Sequence, residues 1–86
     1  MNIKREEIKE LIRLNVQGAD RPGVTAALSK VLAEHNVDIL DIGQATIHND
    51  LGLGILFGLS AKNDSSAVLK DLLFKGYELG LNVKFT

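Results

Sequence analysis

The 86-residue sequence predicts an α+β fold of the ferredoxin-like type, in which a four-stranded antiparallel sheet carries two helices on one face. Three observations lead to this prediction. The segments follow the order β-α-β-β-α-β, every predicted strand has a single apolar face, and two amphipathic helices suffice to cover one side of a sheet only. The other side of the sheet is therefore expected to stay open.

The first strand is predicted within "LIRLNVQG", where apolar and polar residues alternate strictly. Alternation with a period of two is typical of a strand that buries one face. The apolar parity contains Ile12, Leu14 and Val16. Residues 1–10 are mostly charged and are interpreted as a polar leader, so the folded domain is expected to span residues 11–86.

The first helix follows the bend "ADRPG". A proline disfavours helical dihedrals in the residue before it, Arg21, and suits the first helical position itself, so Pro22 is expected to open the helix. Asp20 is placed to accept hydrogen bonds from the free N–H groups of the first turn. Asn36 is expected to end the helix in the left-handed conformation. The apolar stripe at helical spacing consists of Val24, Ala27, Leu28, Val31 and Leu32.

The second strand, within "VDILDIGQATIH", changes phase along its length. Leu40 and Ile42 share one parity, whereas Ala45 and Ile47 share the other. A shift of one residue moves side chains to the opposite face, so a β-bulge near Gly43 is predicted to bring both pairs to the same face.

A tight reversal is predicted in "HNDLG", because Asn49 and Asp50 tolerate turn geometry. The third strand, "LGLGILFGLS", has one unbroken apolar parity opposite a parity that is mostly glycine. The second helix is expected to start at Asp64 or Ser65 and to stop at Gly80. Its apolar stripe consists of Leu69, Leu72, Leu73 and Gly76. The last strand is expected to direct inward Leu81, Val83 and Phe85.

Composition excludes several classes of protein. The formal charge is −1 with both signs interspersed, whereas a nucleic-acid binder needs a basic excess on one face. The chain has no cysteine for a disulfide framework or a thiolate metal site, so the expected location is a reducing cytoplasm. No apolar run approaches the roughly 20 residues that span a bilayer, and "MNIKREEIKE" is too polar for a secretory signal.

The loop between the first strand and the first helix is the candidate binding site. Helix N-termini present N–H donors to anions, and Gly23 has no side chain to shield such donors. Asp20 could pair with an ammonium group, so the two features together fit an amino acid. The same residues also make an ordinary helix start, and the local sequence leaves both interpretations open.

The segment "GADRPGVTAALSKVLAEHNVDILDIGQ" resembles the ACT domain, a small amino-acid-sensing module attached to many metabolic enzymes. The turn, the helix and the following strand occur in the order typical of that family, and the resemblance covers residues 11–86. The segments "ILDIGQATIHNDLGLGILF" and "LLFKGYELGLNVKFT" are similar to the N-terminal regulatory domain of bacterial phosphoserine phosphatases. This second resemblance implies that the ligand is L-serine, the end product of that pathway.

The resemblance also implies where a ligand would bind. In ACT domains the ligand lies between two copies, which implies a homodimer, and backbone N–H and C=O groups do most of the holding. It contacts the first strand–helix loop of one copy and the start of the second strand, or a facing loop, of the other. Carried over to this sequence, the ligand-binding residues are Gly18, Ala19, Asp20, Arg21, Pro22, Gly23, Val37, Asp38 and Ile39.

The resemblance does not extend to catalysis. Phosphoserine phosphatases need the motif Asp-Xaa-Asp-Xaa-Thr for their nucleophile, and this sequence lacks it. The chain is therefore expected to be non-catalytic and to need no cofactor, with Mg²⁺ belonging only to a phosphatase domain joined in cis. It is interpreted as an excised domain or a free-standing relative. A dimerisation module without a ligand is the alternative.

Two other functions share this topology. Acylphosphatases have a phosphate-cradling turn to which Val16-Gln17-Gly18 is similar, but Asp20 would place a carboxylate beside the phosphate. An RNA-binding module would need aromatic residues on the open face of the sheet, where arginine, asparagine, glutamine and glycine are predicted. His48 is interpreted as a turn-flanking residue and His35 as a surface residue near a helix C-terminus, so no metal site is expected.

Overall fold

The elements follow the predicted β-α-β-β-α-β order in the computed structural model, which describes residues 8–86. They are β1 (Ile8–Ala19), α1 (Val24–Glu34), β2 (Asp38–Ile47), β3 (Asp50–Ser60), α2 (Ser65–Glu78) and β4 (Asn82–Phe85). The strands form one antiparallel sheet in the order β2-β3-β1-β4, which confirms the predicted ferredoxin-like fold. Within the predicted leader, residues 1–7 lie outside the described residues, whereas residues 8–10 belong to β1.

The core lies between one face of the sheet and both helices. The apolar parities of β1 and β3 face the apolar stripes of the helices, because strand and helix side chains recur with periods of 2 and 3.6 residues. The buried hydrophobic residues are Ile12, Leu14, Val16, Val24, Leu28, Val31, Leu32, Leu51, Leu53, Ile55, Phe57, Leu59, Val68 and Leu72. Full burial of a side chain of this size contributes about 1.5–3 kcal/mol.

Helix α2 begins and ends as the sequence predicts. Oδ1 of Asp64 accepts a hydrogen bond from the backbone N–H of Ala67 at 3.2 Å, and Gly80 follows the helix with a φ of 71°. Gly76 allows the helix to approach β4 closely, because an added Cβ would lie 2.3 Å from Cγ2 of Val83.

The buried stripe of α2 differs from the prediction, which includes Leu73 and omits the fully buried Val68. Leu73 is 48% exposed, so its predicted inward orientation is wrong. The buried face runs through Val68, Leu72 and Gly76, each four residues from the next, and Leu73 lies about 100° around the helix from Leu72.

The predicted end of α1 is confirmed, because Asn36 has a φ of 57°.

The β-bulge in β2 lies at Leu40 and not near Gly43, where the sequence predicts it. The register with β3 shifts between Ile39 and Asp41, and Gly43 pairs regularly with Gly54. The prediction is wrong because it assumes that every strand must bury its apolar residues, and β2 does not. All of β2 after its first residue is exposed.

After the bulge, polar residues occupy the helix-facing parity of β2. Gln44 and Thr46 pair with the buried Leu53 and Leu51 of β3, so their side chains lie on the same side as α1. Ile47 stays on the open face and is 67% exposed. Strand β2 is an edge strand, and its outer edge remains unpaired within residues 8–86.

The turn between β2 and β3 contains two residues. His48 and Asn49 have φ values of 52° and 68°, which is the pair of positive values that a tight hairpin turn requires. Asp50, which the sequence places in the turn, is the first residue of β3. The structure therefore confirms the reversal and shifts it by one residue.

The face of the sheet opposite the helices is open, as the sequence predicts. Arg13, Gln17 and Lys84 are exposed there, while residues from both helices belong to the single core cluster on the other face. No helix within the described part of the chain is long and apolar enough to cross a membrane.

Candidate functional site

The loop between β1 and α1 borders an open pocket of about 410 Å³, which we call the loop pocket. Its lining residues are Asp20, Arg21, Pro22, Gly23, Val24, Thr25, Ala26 and Gln44. The residues predicted to bind a ligand at positions 20–23 therefore share one pocket with the start of α1 and the end of β2.

The start of α1 leaves backbone N–H groups free. The N-cap is Gly23, and no side chain caps the helix. The first regular helical hydrogen bond runs from the N–H of Ala27 to the carbonyl of Gly23 at 2.9 Å. Within residues 8–86, the N–H groups of Thr25 and Ala26 have no hydrogen-bond acceptor. Such unpaired donors are what a helix N-terminus offers to an anion.

The predicted details of this helix start are wrong in two respects. The helix begins at Val24, so Pro22 precedes the N-cap and does not occupy the first helical position. Asp20 does not cap the helix, since its Oδ2 accepts a hydrogen bond from Oγ1 of Thr46 at 3.4 Å. The physical reason is the left-handed turn at Gly23, which separates Asp20 from the first helical turn.

Gly23 keeps the loop pocket open, since no atom lies within 4 Å of a Cβ added there. Its φ of 87° also belongs to the left-handed region, which residues with a Cβ rarely adopt. Any substitution at Gly23 therefore strains the backbone as well as narrowing the pocket.

The end of β2 forms the polar wall of the site. Oγ1 of Thr25 donates a hydrogen bond to Oε1 of Gln44 at 2.8 Å. Two residues further along β2, Thr46 contacts Asp20. Sequence reasoning misses Thr25, Gln44 and Thr46. The signal that could have revealed Gln44 and Thr46 is their polarity on the helix-facing parity of β2, which the misplaced bulge conceals.

Two further predicted ligand-binding residues, Gly18 and Ala19, lie beside the loop, and Gly18 and Arg21 pack against the segment at the end of α2. Nη2 of Arg21 donates a hydrogen bond to the carbonyl of Leu79, the C-cap residue of α2. Gly18 makes room for Leu81, whose Cδ2 would lie 2.6 Å from an added Cβ. Ala19 is the last residue of β1. The contacts of Gly18 and Arg21 hold the loop in position and give both residues a structural role.

Residues 37–39, also predicted to bind the ligand, lie at the opposite end of the sheet. Through β3, Asp38 aligns with Leu11 of β1, whereas Ile47 aligns with Ala19 beside the loop. The eight residues of β1 that separate these two levels span about 26 Å. One chain therefore does not bring Val37, Asp38 and Ile39 to the loop pocket.

A second open pocket, of about 470 Å³, lies on the opposite face of the sheet. It is lined by Gln17, Gly18, Ala45, Ile47, Asp50, Leu51 and Gly52. All of these residues belong to strands and none to a helix N-terminus, so the smaller loop pocket is the better candidate for binding a charged molecule.

His35 has a defined partner and is not a simple surface residue. Its Nε2 lies 2.7 Å from Oδ2 of Asp71, and its carbonyl accepts a hydrogen bond from Nδ2 of Asn63 at 2.8 Å. These contacts tie the end of α1 to the middle of α2 and to the loop before it. Among residues 8–86, no group of three or more histidine, cysteine, aspartate or glutamate side chains could hold a metal ion.

Comparison with known proteins gives one family. A family model described as ACT domain matches residues 10–86. A UPF0237 protein of Methanopyrus kandleri is 44% identical over 71 residues, which cover 81% of this chain and 79% of that protein. A phosphoserine phosphatase of Mycobacterium tuberculosis is 37% identical over 76 residues, which cover 87% of this chain but only 19% of that enzyme.

The solved structure of an ACT domain protein from Streptococcus pneumoniae superimposes with a TM-score of 0.76. It covers 88% of this chain and 86% of that one, at 21% sequence identity. At this identity the likeness supports the fold, while the sequence matches support the family.

Proposed function

The chain belongs to the ACT domain family, and we propose that it is a regulatory domain that binds L-serine or a related amino acid in the loop pocket. The observation that carries this proposal is the uncapped start of α1. The N–H groups of Thr25 and Ala26 border the pocket without an acceptor among the described residues, and Gly23 leaves the approach to them open.

The carboxylate of the amino acid is assigned to these N–H groups. The N-terminus of a helix carries a partial positive charge that stabilises a nearby anion by about 0.3–1 kcal/mol at the surface. Hydrogen bonds from backbone N–H groups to a carboxylate are charge-assisted and stronger than neutral ones. The Arg21 guanidinium is already engaged by the carbonyl of Leu79, which leaves the backbone as the main anion-binding element.

The ammonium group is assigned to Asp20, the acidic residue that lines the pocket. The carboxylate of Asp20 accepts a hydrogen bond from Oγ1 of Thr46, and the backbone N–H of Asp20 donates one to the carbonyl of Asn49 at 2.8 Å. These two contacts with the β2–β3 hairpin hold Asp20 in place. Gln44, across the pocket, offers an amide to the hydroxyl of serine. The pocket thus matches the two charges of a zwitterion.

Dimerisation through β2 would bring the remaining predicted residues to the pocket. A two-fold axis beside Gly43 pairs the outer edge of β2 with its symmetry copy in an antiparallel manner. Past the bulge at Leu40, this register places Ile39 of the second copy opposite Thr46, with both side chains on the helix side. Exposed edge strands favour such pairing. The same contact would cover Ile39 and Ile42, which are 38% and 44% exposed.

The relatives support two settings for this domain. The match to a phosphoserine phosphatase supports a domain that regulates such an enzyme within one longer chain. The match to a UPF0237 protein, 79% of whose length is covered, supports a stand-alone sensor that acts on another protein. In either setting the ligand would favour one of two geometries, with a typical coupling of about 1–3 kcal/mol.

Isothermal titration of the chain with L-serine tests the proposal. Serine should bind, and Asp20→Asn should weaken binding roughly tenfold or more, because a hydrogen bond to a charged group contributes about 1.5–3 kcal/mol. Glu34→Gln, which makes the same charge change at the far end of α1, should bind serine like the unaltered chain. If neither serine nor any other amino acid gives a binding signal at millimolar concentration, the proposal fails and only a dimerisation module remains.

A further inference from the structure

The open face of the sheet divides into two halves of opposite character. Apart from Leu11 at one end, the half formed by β1 and β4 carries long polar side chains and two cations, whereas the middle of the half formed by β3 and β2 carries small residues flanked by carboxylates. In the first half lie Arg13, Asn15, Gln17, Asn82 and Lys84. In the second half lie Gly43, Gly52, Gly54, Ala45, Asp38, Asp41 and Asp50, together with the larger Leu56 and Ile47 near its two ends. The first half therefore carries the cations and the second half the carboxylates, and the middle of the second half, at its glycines and Ala45, is recessed.

The glycines of this recess are not needed by the chain's own packing. Gly43, Gly52 and Gly54 have no positive φ, so their backbone conformation does not require glycine. An added Cβ would meet no atom within 4 Å at Gly43 or Gly54, and only the carbonyl oxygen of Ala45, at 3.8 Å, at Gly52. Glycine weakens a strand and often marks the close approach of another chain.

We propose that this face stacks against the same face of a second copy of the chain, about a two-fold axis that runs along the strands between β1 and β3. Such an axis places β1 over β3 and β4 over β2 of the second copy, at the same level along the strands. Asn15 and Gln17 then face Gly54 and Gly52 of the second copy, because each pair shares one level of the sheet. The protruding amides fill the space that the glycines leave between sheets about 10 Å apart.

The distribution of charge selects this axis. Lys84 lies over β2 of the second copy, beside Asp41, and the Arg13 side chain of β1 reaches the same carboxylate from the neighbouring strand. A two-fold axis across the strands would instead place every strand over itself, so that the carboxylates of β2 lie over β2 and the cations of β1 and β4 lie over those same strands. Opposite charges across an interface favour association, and like charges oppose it.

The size of the face predicts a weak and reversible contact. Its long dimension, about 26 Å, and a width of four strands, about 19 Å, give about 500 Å² per copy and about 1,000 Å² in total. This total is at the lower limit for a specific interface. The contact does not involve the outer edge of β2 or the loop pocket, so it can form without edge pairing and does not depend on a ligand.

Sedimentation velocity of the full chain over a wide range of concentrations tests the stacked interface. Gly54→Gln, whose side chain would occupy the recess, should weaken the association at least tenfold while the circular dichroism spectrum stays unchanged. Serine binding measured by calorimetry should also stay unchanged, which separates this proposal from the assignment of the loop pocket. An unaltered association constant for Gly54→Gln, or a wild-type chain that never self-associates through this face, would overturn the proposal.

A charge exchange gives a second, independent test. Asp41→Lys and the double variant Arg13→Glu/Lys84→Glu should each associate more weakly than the wild type, because each places like charges across the interface. An equal mixture of the two variants restores opposite charges on both sides of the axis and should associate again. A mixture that stays as dissociated as its components would refute the stacked arrangement even if both variants fold.

Discussion

The two helices of this domain begin in different ways, although an aspartate lies just ahead of each. At α2 the Asp64 carboxylate caps the helix, accepting the N–H of Ala67. At α1 the N-cap is Gly23, no side chain caps the helix, and Asp20 is engaged with β2. The first arrangement satisfies the helix start from within the protein. The second leaves donors available beside an open pocket, and that difference separates a structural helix start from a binding one.

The largest expected effect on stability comes from placing a side chain at Gly23, the N-cap of α1. Gly23→Val should lower the free energy of unfolding by about 2–3 kcal/mol, because a β-branched residue in the left-handed region is strained. Gly23→Asn is the matched control and should cost about 1 kcal/mol or less, since asparagine tolerates that region. Urea denaturation measures both values. Equal costs for the two variants would contradict the left-handed conformation at this N-cap.

A smaller effect distinguishes the two aspartates. Asp64→Ala should lower the free energy of unfolding by about 1 kcal/mol, because a capping hydrogen bond is lost. Asp20→Ala, measured without ligand, should stay within about 0.5 kcal/mol of the unaltered chain, since that carboxylate caps no helix. A cost for Asp20→Ala as large as that for Asp64→Ala would mean that α1 is capped after all, and the contrast between the helix starts would disappear.

Much of the fold follows from local patterns that the sequence displays directly. The alternation in β1 and β3 and the stripe of α1 predict which residues are buried, and Asp64, Asn36 and Gly80 mark helix boundaries where the structure has them. Strand β2 could not be predicted in the same way. Its phase depends on the bulge at Leu40, which is visible in the pairing with β3 and not in the apolar pattern of the strand.

The candidate site likewise combines features that the local sequence predicts with features that depend on strand pairing. The loop at residues 20–23 is recognisable because proline and glycine impose local backbone conformations, although the left-handed turn at Gly23 moves the helix start past Pro22. Gln44 and Thr46 escape prediction because their orientation depends on the position of the bulge. Residues 37–39 are predicted from family resemblance alone, and their distance from the loop in one chain means that only a second copy can unite them with the pocket.

A titration of the isotope-labelled chain with L-serine, followed by NMR, tests most directly the claim that the free N–H groups of α1 bind the ligand carboxylate. The backbone amides of Thr25 and Ala26 should show the largest shift changes and slower hydrogen exchange at saturation. The amides that open α2, Ser66 and Ala67, should stay unchanged, because Asp64 already caps that helix. Saturable binding that shifts residues elsewhere and leaves Thr25 and Ala26 unaffected would contradict the claim.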